Sequence, residues 1–451
     1  MTNIQAILLQ QPQNLPRYTS YPPANHFKAD EGLRLSQNLI EAARSVDALS
    51  VYIHIPYCDR LCWFCGCHTK HTLSYDPISK YVKVLIKEIE LFASKIGSRK
   101  RIAKLHLGGG SPSLLKMADL NDLRRALDQF GIIDQATEIS IEIDPSDVGV
   151  TTIADLKAFG LTRASIGVQD FDPVVQAAIN RPQSFEITRK VVNGLRAAGI
   201  SSLNIDALYG LPLQTPERLQ RTIAQALSLE PDRIALFGYA HVPWLKPHQK
   251  LIRDSDLPNQ RDRLVESIRA AQSIVDGGYQ AIGIDHFAKP QDTLAVASRS
   301  GGLRRNFQGY TDDNCAVMIG FGPSSISRFP NGFIQNEIAT ARYIAAISKG
   351  SFAFTKGLEL SLDDIIRGWI IECLMCDFAF SHAKLVSTFG AEAEPYWVEA
   401  LAVALEDSTG LCHVEGGYFA MNPDAKPLVR VMAAKFDRWL GTNKFQYSKA
   451  V

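Results

Sequence analysis

Short apolar runs alternate with helix-forming segments from about residue 49 to residue 284. Helical patterns, for example at 184–198 and 262–276, lie between the runs. Apolar strands that alternate with helices are typical of a parallel sheet covered by helices. The sequence therefore predicts an α/β fold, built as a full or a partial (β/α) barrel. The seven predicted strands are 49–55, 104–107, 138–143, 164–168, 202–205, 234–237 and 281–284.

Polar and glycine residues gather just after these strands. In parallel α/β folds, ligands bind at the carboxyl ends of the strands, and in a barrel the same end is the functional rim. We therefore expect the residues that follow the seven strands to lie around one mouth. They are Cys58, Gly109, Glu142, Gln169, Asp206, Ala240 and His286.

The stretch at 58–67 contains four cysteines, and the first three have the spacing C-x3-C-x2-C. Three close thiols in a chain of 451 residues do not suggest a disulfide framework. A structural zinc site needs four ligands, whereas a [4Fe–4S] cluster held by three thiolates leaves one iron open to a substrate or cofactor. We interpret the stretch as a catalytic iron–sulfur site. A zinc site with His68 or Cys67 as fourth ligand, or a group of reduced core cysteines, is the alternative.

Other strand-end residues suggest contacts with a cofactor. The loop GGGSP at 108–112 lacks the Lys-Ser/Thr pair of a P-loop, but its glycines let the backbone approach a ligand's amino acid end. Glu142 and Asp206 would accept hydrogen bonds from ribose hydroxyls or an amine, or would be satisfied polar groups. Arg181 is either a surface arginine or the partner of a carboxylate.

Segments outside the barrel pattern carry further candidates. The proline-rich residues 1–23 form either a loosely packed leader or an arm that offers Arg17 to an anionic ligand. The loop at 306–310 follows Arg304 and Arg305 and would suit a flat ligand with carboxylates. A helix near Pro77 places Tyr81, Leu85, Ile89 and Phe92 on one apolar stripe.

The pattern changes after about residue 348. A capping box at 361–364 starts an apolar helix in which Cys373 and Cys376 are predicted to be buried. Further helices and a hairpin around 415–417 predict a mostly helical, winged-helix-like region. We therefore divide the chain into an N-terminal arm at 1–35, a barrel domain at 36–345 and a C-terminal domain at 346–451.

Composition excludes some classes of function. Lys and Arg total 48 and Asp and Glu total 47, so a formal net charge of +1 argues against a general nucleic-acid or anionic-membrane surface. Half of the 8 cysteines lie in one stretch, which fits a metal in a reducing compartment. Residues 1–10 lack signal-peptide features, and no apolar run reaches membrane-span length. A cytoplasmic location is expected.

With these residues in view, the chain resembles the radical S-adenosylmethionine enzymes, whose signature is C-x3-C-x2-C with an aromatic residue, here Phe64, before the third cysteine. It is more closely similar to the oxygen-independent coproporphyrinogen III oxidases over nearly the whole chain. The segments that carry this similarity, besides the cysteine stretch with its extra Cys67, are RYTSYP at 17–22, YIHIP at 52–56, GGGSP at 108–112, SIE at 140–142, SIGVQDF at 165–171, NID at 204–206, YGLP at 209–212, DHFA at 285–288 and NFQGY at 306–310.

The resemblance implies a radical S-adenosylmethionine barrel with a [4Fe–4S] cluster on Cys58, Cys62 and Cys65. It also implies two molecules of S-adenosylmethionine. The positions that match contacts of the first are Tyr52, Gly109, Glu142 and Ile326. Those that match the second are Phe64, Gly110, Ser111, Gln169, Arg181, Asp206 and Ala240. The family usually has threonine where this chain has Ser111, and serine keeps the hydroxyl.

The implied reaction is the conversion of two propionate side chains of coproporphyrinogen III to vinyl groups, which gives protoporphyrinogen IX in heme biosynthesis. The 5′-deoxyadenosyl radical would start each round. We expect a monomer that receives electrons from a donor such as flavodoxin or ferredoxin and has no nucleic-acid or membrane partner. Because the substrate carries four carboxylates, arginines are expected near the mouth, with Arg17, Arg304 and Arg305 as candidates. Cys67 has no role that the residues explain.

Three rival functions remain open. The first is a heme chaperone-like relative, although such relatives look to lack the Gly66-Cys67 extension and the arm at 17–22. The second is a related heme-degrading methyltransferase. The third is a zinc- or cluster-binding regulator that uses the winged-helix-like region, against which the neutral net charge and the crowded strand ends argue.

Overall fold

A computed structural model describes residues 14–442, so the part of the predicted leader at 1–13 lies outside the described residues. The main feature is one mixed sheet of 14 strands. Seven of them run parallel and lie side by side. The first six follow one another across the sheet in chain order, and the seventh lies beside the first, on its other side. We number them β1 (Ala48–Ile55), β2 (Lys100–Gly109), β3 (Glu138–Ile143), β4 (Arg163–Gln169), β5 (Ser202–Tyr209), β6 (Arg233–Gly238) and β7 (Met318–Phe321).

Antiparallel strands extend the sheet at both edges. Those beyond β7 are Ile326–Phe329, Gly332–Asn336, Phe354–Glu359 and Lys28–Ala29, and those beyond β6 are His286–Ala288 and Gln280–Ile282. A short strand, Gly131–Ile132, pairs with the start of β2. Within residues 14–442 the outermost strands do not pair with each other. The predicted α/β fold is confirmed, and of the two predicted forms the barrel takes the partial, open one.

The seventh predicted strand differs from the prediction. The run at 281–284 does not continue the parallel series. It forms Gln280–Ile282, which ends before Gly283, a residue with a φ of +57°. The chain then returns antiparallel as His286–Ala288 and pairs with β6. The seventh parallel strand is β7, which lies at the other side of the series, beside β1.

In the described part of the chain, fourteen α-helices surround this sheet and form the C-terminal region. Side-chain caps fix the starts of several of them: Ser184, Thr215, Asn259 and Asp292 each accept a backbone N–H of the first helical turn. The helices are α1 (Glu31–Ser45), α2 (Asp76–Ile96), α3 (Met117–Phe130), α4 (Val150–Phe159), α5 (Pro173–Ala178), α6 (Phe185–Ala197), α7 (Pro216–Ser228), α8 (Gln260–Asp276), α9 (Thr293–Ser300), α10 (Thr340–Ser348), α11 (Leu362–Asp377), α12 (His382–Phe389), α13 (Glu394–Glu406) and α14 (Val429–Ala433).

The main core lies between the sheet and its helices. The predicted stripe of α2 is confirmed, since Tyr81, Leu85, Ile89 and Phe92 are all buried. They belong to the same apolar cluster as the strand residues Ile53 and Leu105 and others like them. Burial of these side chains holds α2 against the sheet.

The C-terminal region has its own core. The predicted capping box forms between Ser361 and Asp364 at the start of α11. The predicted hairpin pairs Cys412–Glu415 with Tyr418–Met421, and Ala379–Ser381 adds a third strand. Cys376 is buried, as predicted, and Cys373 is partly exposed. Tyr18 and Tyr21 of the arm are buried in this same core, so the described part of the arm is packed rather than loose.

Two further findings concern the boundary of the barrel domain and the character of the helices. The large sheet includes Phe354–Glu359, so it continues past residue 345, where the sequence suggested the barrel domain ends. Across residues 14–442, no helix combines the length and the apolar character needed to cross a membrane.

Candidate active site

A cavity of about 250 Å³ opens where β1 to β5 end, on the inner side of the cysteine stretch. We call it the cysteine cavity. It brings together most of the residues singled out in the sequence. Those that line it are Cys58, Cys62, Phe64, Cys65, Gly109, Gly110, Ser111, Glu142, Gln169, Arg181 and Asp206. The predicted convergence of strand ends is therefore seen for the first five strands.

The glycine loop after β2 is shaped by the protein itself. Gly109 has a φ of +111°, and a Cβ there would collide with the imidazole of His54. A Cβ on Gly110 would collide with the carbonyl oxygen of Tyr57. Ser111 donates its backbone N–H to the same carbonyl at 2.7 Å. Glycine is thus required because the loop packs tightly on β1, and the remaining sides of Gly109 and Gly110 line the cavity.

Glu142 is fixed by groups on neighbouring strands. Its Oε2 accepts the Gly109 N–H at 2.8 Å, and its Oε1 lies 3.4 Å from His106 Nε2. Burial raises the pKa of Glu142, but the hydrogen bonds from His106 and Gly109 outweigh it and leave that pKa below its ordinary value. Glu142 therefore presents a carboxylate to the cavity, able to accept further hydrogen bonds.

Arg181 is a buried partner of a carboxylate, the second of the two sequence interpretations. Its Nη1 lies 3.1 Å from Asp144 Oδ2 and donates to Cys62 Sγ at 3.4 Å, while its Nη2 donates to the Gly167 carbonyl at 2.7 Å. The guanidinium thus joins β3, β4 and the cysteine stretch. Burial raises the pKa of Cys62, and the positive charge and hydrogen bond of Arg181 offset part of that rise.

The cysteine stretch is held from outside by one segment of the chain. Lys246 Nζ donates to the Cys67 carbonyl at 3.0 Å, and His248 Nε2 lies 2.8 Å from the Cys65 carbonyl oxygen.

Within the stretch, the Cys67 N–H approaches Cys65 Sγ at 3.4 Å, and hydrogen bonding by Cys67 lowers the pKa of the Cys65 thiol to about 7. Burial raises the pKa of Cys58 to about 12, so a bound metal would have to displace that proton.

Asp206 and Gln169 complete the wall at β4 and β5. Asp206 Oδ2 accepts the Ser165 hydroxyl at 2.9 Å, and its Oδ1 accepts Asn204 Nδ2 at 2.7 Å. Burial raises the pKa of Asp206. Gln169 has a φ of +67°, a left-handed backbone that is uncommon for glutamine and is found here where β4 ends at the cavity.

Four expected mouth or cofactor residues do not line the cysteine cavity. Tyr52 stands behind it, stacked on His106 with ring centroids 5.8 Å apart. The Ala240 carbonyl accepts Gln249 Nε2 at 3.2 Å, and Gln249 also donates to the Phe64 carbonyl. Ile326 lies on the strand beyond β7, against Gly320. His286 packs edge-on against Phe237, at 5.3 Å between ring centroids.

A second, wider cavity of about 680 Å³ adjoins the first, and Phe237 lines both. We call it the basic cavity. It lies between β5, β6, α8, the arm and the C-terminal region. Five cationic side chains line it, against two acidic ones. The cations are Arg17, Arg263, Arg305, Lys426 and Arg430, and the acids are Asp285 and Asp424.

The three arginines proposed from the sequence are separated by the structure. Arg305 has a side chain only 4% exposed, stacks on the Tyr310 ring and lies 3.5 Å from Asp285 Oδ2. Its Nε and Nη1 have no hydrogen-bond partner among the described residues. Arg17 donates to the Gly238 carbonyl at 3.0 Å. Arg304 is exposed and does not line the cavity, because adjacent residues of the strand Arg304–Asn306 point to opposite faces.

Three cations of the basic cavity were missed in the sequence. Arg263 lies on α8, where it donates to the Tyr239 carbonyl at 3.1 Å. Lys426 and Arg430 come from the C-terminal region. Each occupies an ordinary helical or loop position, so no local pattern marks it. Only the tertiary packing of distant segments shows that they share a cavity.

The donor set of the cysteine cavity fits a cubane cluster with an additional ligand. Cys58, Cys62 and Cys65 supply three thiols to one cavity, and Arg181 and the Cys67 N–H donate hydrogen bonds to two of the sulfur atoms. Glu142 and Asp206 add carboxylates on the opposite wall. A [4Fe–4S] cluster held by these three soft ligands would keep one iron open to a cofactor, with the polar groups of the cavity beside it.

This fold and this site define a radical S-adenosylmethionine protein, and residues 52–226 match the family model described as the Radical SAM superfamily. The chain is 43% identical to the oxygen-independent coproporphyrinogen III oxidase of Cereibacter sphaeroides, over 97% of this chain and 96% of the relative. It is 43% identical to the enzyme of the same name from Paracoccus denitrificans, over 94% of each chain. A solved structure of coproporphyrinogen III oxidase from Escherichia coli matches with a TM-score of 0.89 at 34% identity, covering 95% of this chain and 100% of that one. The chain belongs to the family of oxygen-independent coproporphyrinogen III oxidases, and this membership implies a [4Fe–4S] cluster and S-adenosylmethionine.

Proposed function

We propose that this protein catalyses the oxygen-independent oxidative decarboxylation of two propionate side chains of coproporphyrinogen III to vinyl groups, in heme biosynthesis. One observation carries the proposal. The cavity with three thiols meets a cavity with surplus cationic side chains at a single residue, Phe237. A radical generated on one side can therefore reach a multiply anionic substrate on the other. The relatives named above support the reaction.

We assign the cluster to Cys58, Cys62 and Cys65. When bound, the cluster and S-adenosylmethionine supply the 5′-deoxyadenosyl radical that removes a hydrogen atom from the propionate. Glu142 and the Gly109 backbone would position the first S-adenosylmethionine, with Tyr52 and Ile326 in support. The proposed contacts of a second S-adenosylmethionine are Phe64, Gly110, Ser111, Gln169, Arg181, Asp206 and Ala240.

The basic cavity is the proposed substrate site. Propionates would pair with its cations, above all with Arg305, whose Nε and Nη1 lack partners in the described chain. Arg263, Lys426 and Arg430 join Arg17 and Arg305 in this role. Arg304 is left out because it does not line the cavity. A cavity of about 680 Å³ is within the range of about 300–1,000 Å³ that is usual for ligand pockets.

The arm would close the substrate site. Tyr18 donates its hydroxyl to Asp437 Oδ2 at 3.0 Å, which anchors the arm to the C-terminal region, while Arg17 reaches into the basic cavity. Arg17→Ala should lower substrate turnover and leave substrate-free cleavage of S-adenosylmethionine measurable. Unchanged turnover would contradict the role of the arm as a cover.

The proposal also covers the cellular compartment, the oligomeric state and the electron donor. The eight cysteines are all free of disulfides, which supports a reducing compartment such as the cytoplasm. We propose a monomer that receives its electrons from a flavodoxin or ferredoxin.

Anaerobic reconstitution tests the function. Wild type should bind about four irons per chain, cleave S-adenosylmethionine, release CO2 and form a vinyl-bearing product from coproporphyrinogen III. Cys62→Ala should lose the iron and the product. Binding of heme without any turnover would instead favour a chaperone.

A further inference from the structure

An open groove of about 550 Å³ lies on the outer side of the cysteine stretch. We call it the Trp63 groove, after the residue at its inner wall. Apolar side chains on its walls are exposed to solvent: Val174 by 44%, Leu213 by 37% and Leu251 by 56%. The adjoining charged rim includes Arg253. A group of exposed apolar residues rimmed by charge is typical of a surface that binds another protein.

The groove lies directly behind the thiols. Trp63 lines the groove, whereas its neighbours Cys62 and Phe64 line the cysteine cavity. A single layer of backbone therefore separates the outer surface from the proposed cluster site. The Trp63 N–H donates to the Ile179 carbonyl at 2.9 Å, and the ring packs with buried apolar residues such as Ile252. This indole is a fixed aromatic link between the two sides.

The groove is preformed. Leu213 has a φ of +58°, an unfavourable backbone conformation for leucine, and its N–H donates to the Asp256 carbonyl at 2.7 Å. That bond ties the two walls together. A strained residue that exposes an apolar side chain in a groove indicates a binding role rather than a packing role.

The chain segments that form or flank the cysteine stretch carry a small surplus of positive charge, while the two charged residues that line the groove itself, Arg253 and Asp256, pair with each other. The segments 59–71 and 246–256 form or flank the cysteine stretch, and they carry five Lys or Arg residues and three Asp residues. Lys250 and Arg253 are exposed, and Arg253 is paired with Asp256. Asp254 lies beside His241. This local surplus of two positive charges stands against a net charge of +1 for all 451 residues.

We propose that the Trp63 groove docks the protein that delivers electrons to this enzyme, a small acidic carrier with the apolar edge of a flavin or iron–sulfur centre exposed among carboxylates. The proposal deepens the proposed function and rests on it. In each encounter the carrier loses one electron and the enzyme gains one at the cysteine stretch, with no bond or proton transferred. Complementary charge accelerates such transient encounters, whose interfaces are small.

Reduced flavodoxin serves as the probe, and dithionite serves as a reductant that needs no docking surface. The test variants are Lys250→Glu, Leu251→Asp and the double variant Lys250→Glu/Arg253→Glu. Lys349→Glu is the control for Lys250→Glu, because it places the same charge change after α10, in the antiparallel part of the sheet. The double variant should raise the KM for flavodoxin and its Kd by calorimetry at least about 10-fold. Turnover with dithionite should stay within about twofold of wild type.

Salt supplies a second readout. Raising the ionic strength from about 0.02 to 0.2 M should weaken flavodoxin binding by wild type and by Lys349→Glu, and weaken it less in the double variant. Unchanged flavodoxin kinetics and affinity in all three groove variants would overturn the proposal. An equal loss with both reductants would also overturn it, because the residues would then be structural.

Failure of the proposed function gives a different result. Wild type would then form no vinyl product even with dithionite. The docking proposal would still be decided, because bleaching of the cluster absorbance by flavodoxin can be followed without substrate. Slower bleaching in the double variant than in Lys349→Glu supports it, and equal rates refute it.

Discussion

The cysteine cavity and the basic cavity share Phe237, yet their polar groups are satisfied in different ways. Around the cysteine cavity, Arg181 pairs with Asp144, and Glu142 accepts the Gly109 N–H. Around the basic cavity, five cationic side chains face two acidic ones. Arg305 leaves two buried nitrogen atoms, Nε and Nη1, without partners among the described residues, whereas Arg181 leaves one, Nε.

This difference separates stability from function. A buried ion pair adds little net stability, but removing one member leaves the other charge buried and uncompensated, which is costly. A buried guanidinium with nitrogens left unbonded is a cost to the fold that an anionic ligand can offset. Substitutions around the cysteine cavity should therefore destabilise the protein. Substitution of a basic-cavity cation that has no ion pair among the described residues, such as Arg430, should impair turnover with little loss of stability.

The largest expected effect is that of Arg181→Met. Its partner Asp144 has a side chain only 8% exposed and would be left as an uncompensated buried carboxylate. The free energy of unfolding should fall by about 3–5 kcal/mol, measured by urea denaturation of the metal-free protein. Arg189→Met is the matched control, because Arg189 pairs with Glu186 on the exposed face of α6, where such a pair contributes less than about 1 kcal/mol. Equal losses would remove the distinction between the two kinds of ion pair.

Glu88 of α2 sharpens the comparison, because it is a buried carboxyl group whose three hydrogen-bond partners are all donors. Tyr343, Gly322 and Asn336 all donate to its carboxylate at 2.7 Å. Burial nevertheless dominates and raises its pKa from 4.5 to about 7. Between these values the folded protein holds a proton that the unfolded chain has lost. The contribution of Glu88 to stability should therefore be fully present below pH 4.5 and be lost as the pH rises through 7, by roughly 3 kcal/mol in total.

Glu88→Gln should flatten this pH dependence. The Gln amide can donate to Asn336 Oδ1, which lacks a partner among the described residues, once the Asn336 amide has turned. Urea midpoints at pH 5 and pH 7.5 measure the effect. Glu90→Gln, two residues further along α2 and exposed, should keep the slope of wild type. If the pH dependence of stability persists in Glu88→Gln, it must come from other titratable groups.

The cysteine cavity could be predicted from the sequence because it is built at strand ends. The apolar runs locate the strands, and parallel pairing then brings Cys58, Gly109, Glu142 and Asp206 to one edge. The prediction of the seventh parallel strand was wrong, because a run of four residues does not show whether Gly283 continues the strand or begins a turn of the chain.

The basic cavity could be predicted only in part. The arm and the strand Arg304–Asn306 attract attention by composition, but Arg263 and Arg430 lie in ordinary positions on α8 and α14. Their meeting depends on how the C-terminal region packs against the barrel, and no local spacing encodes that packing. Which of Arg304 and Arg305 lines the basic cavity also depends on the orientation of their strand, which the sequence does not give.

Arg305→Met and Arg304→Met therefore form a matched pair on adjacent residues. Loss of charge-assisted hydrogen bonds to a propionate should lower kcat/KM for coproporphyrinogen III by roughly 10- to 100-fold in Arg305→Met. Arg304→Met should stay within about twofold of wild type. Formation of 5′-deoxyadenosine without substrate should persist in both variants, which shows that the cysteine cavity is intact. Equal kinetics in the two variants would mean that the basic cavity does not hold the substrate.

The smallest expected effect, and the most direct test of the comparison, is that of Arg430→Met. Arg430 is half-buried, and burial is the main cause that lowers its pKa to about 10. The charges of Arg17 and Arg305 also lower this pKa, and that of Asp285 opposes them. Removing it should relieve repulsion, so the free energy of unfolding should stay the same or rise by up to about 1 kcal/mol. The KM for the substrate should rise about 10-fold, as one charged contact is lost. Lys435→Met, exposed and just beyond α14, should change neither quantity. A stability loss of several kcal/mol in Arg430→Met, with KM unchanged, would show that the cations of the basic cavity serve the fold, as those around the cysteine cavity do.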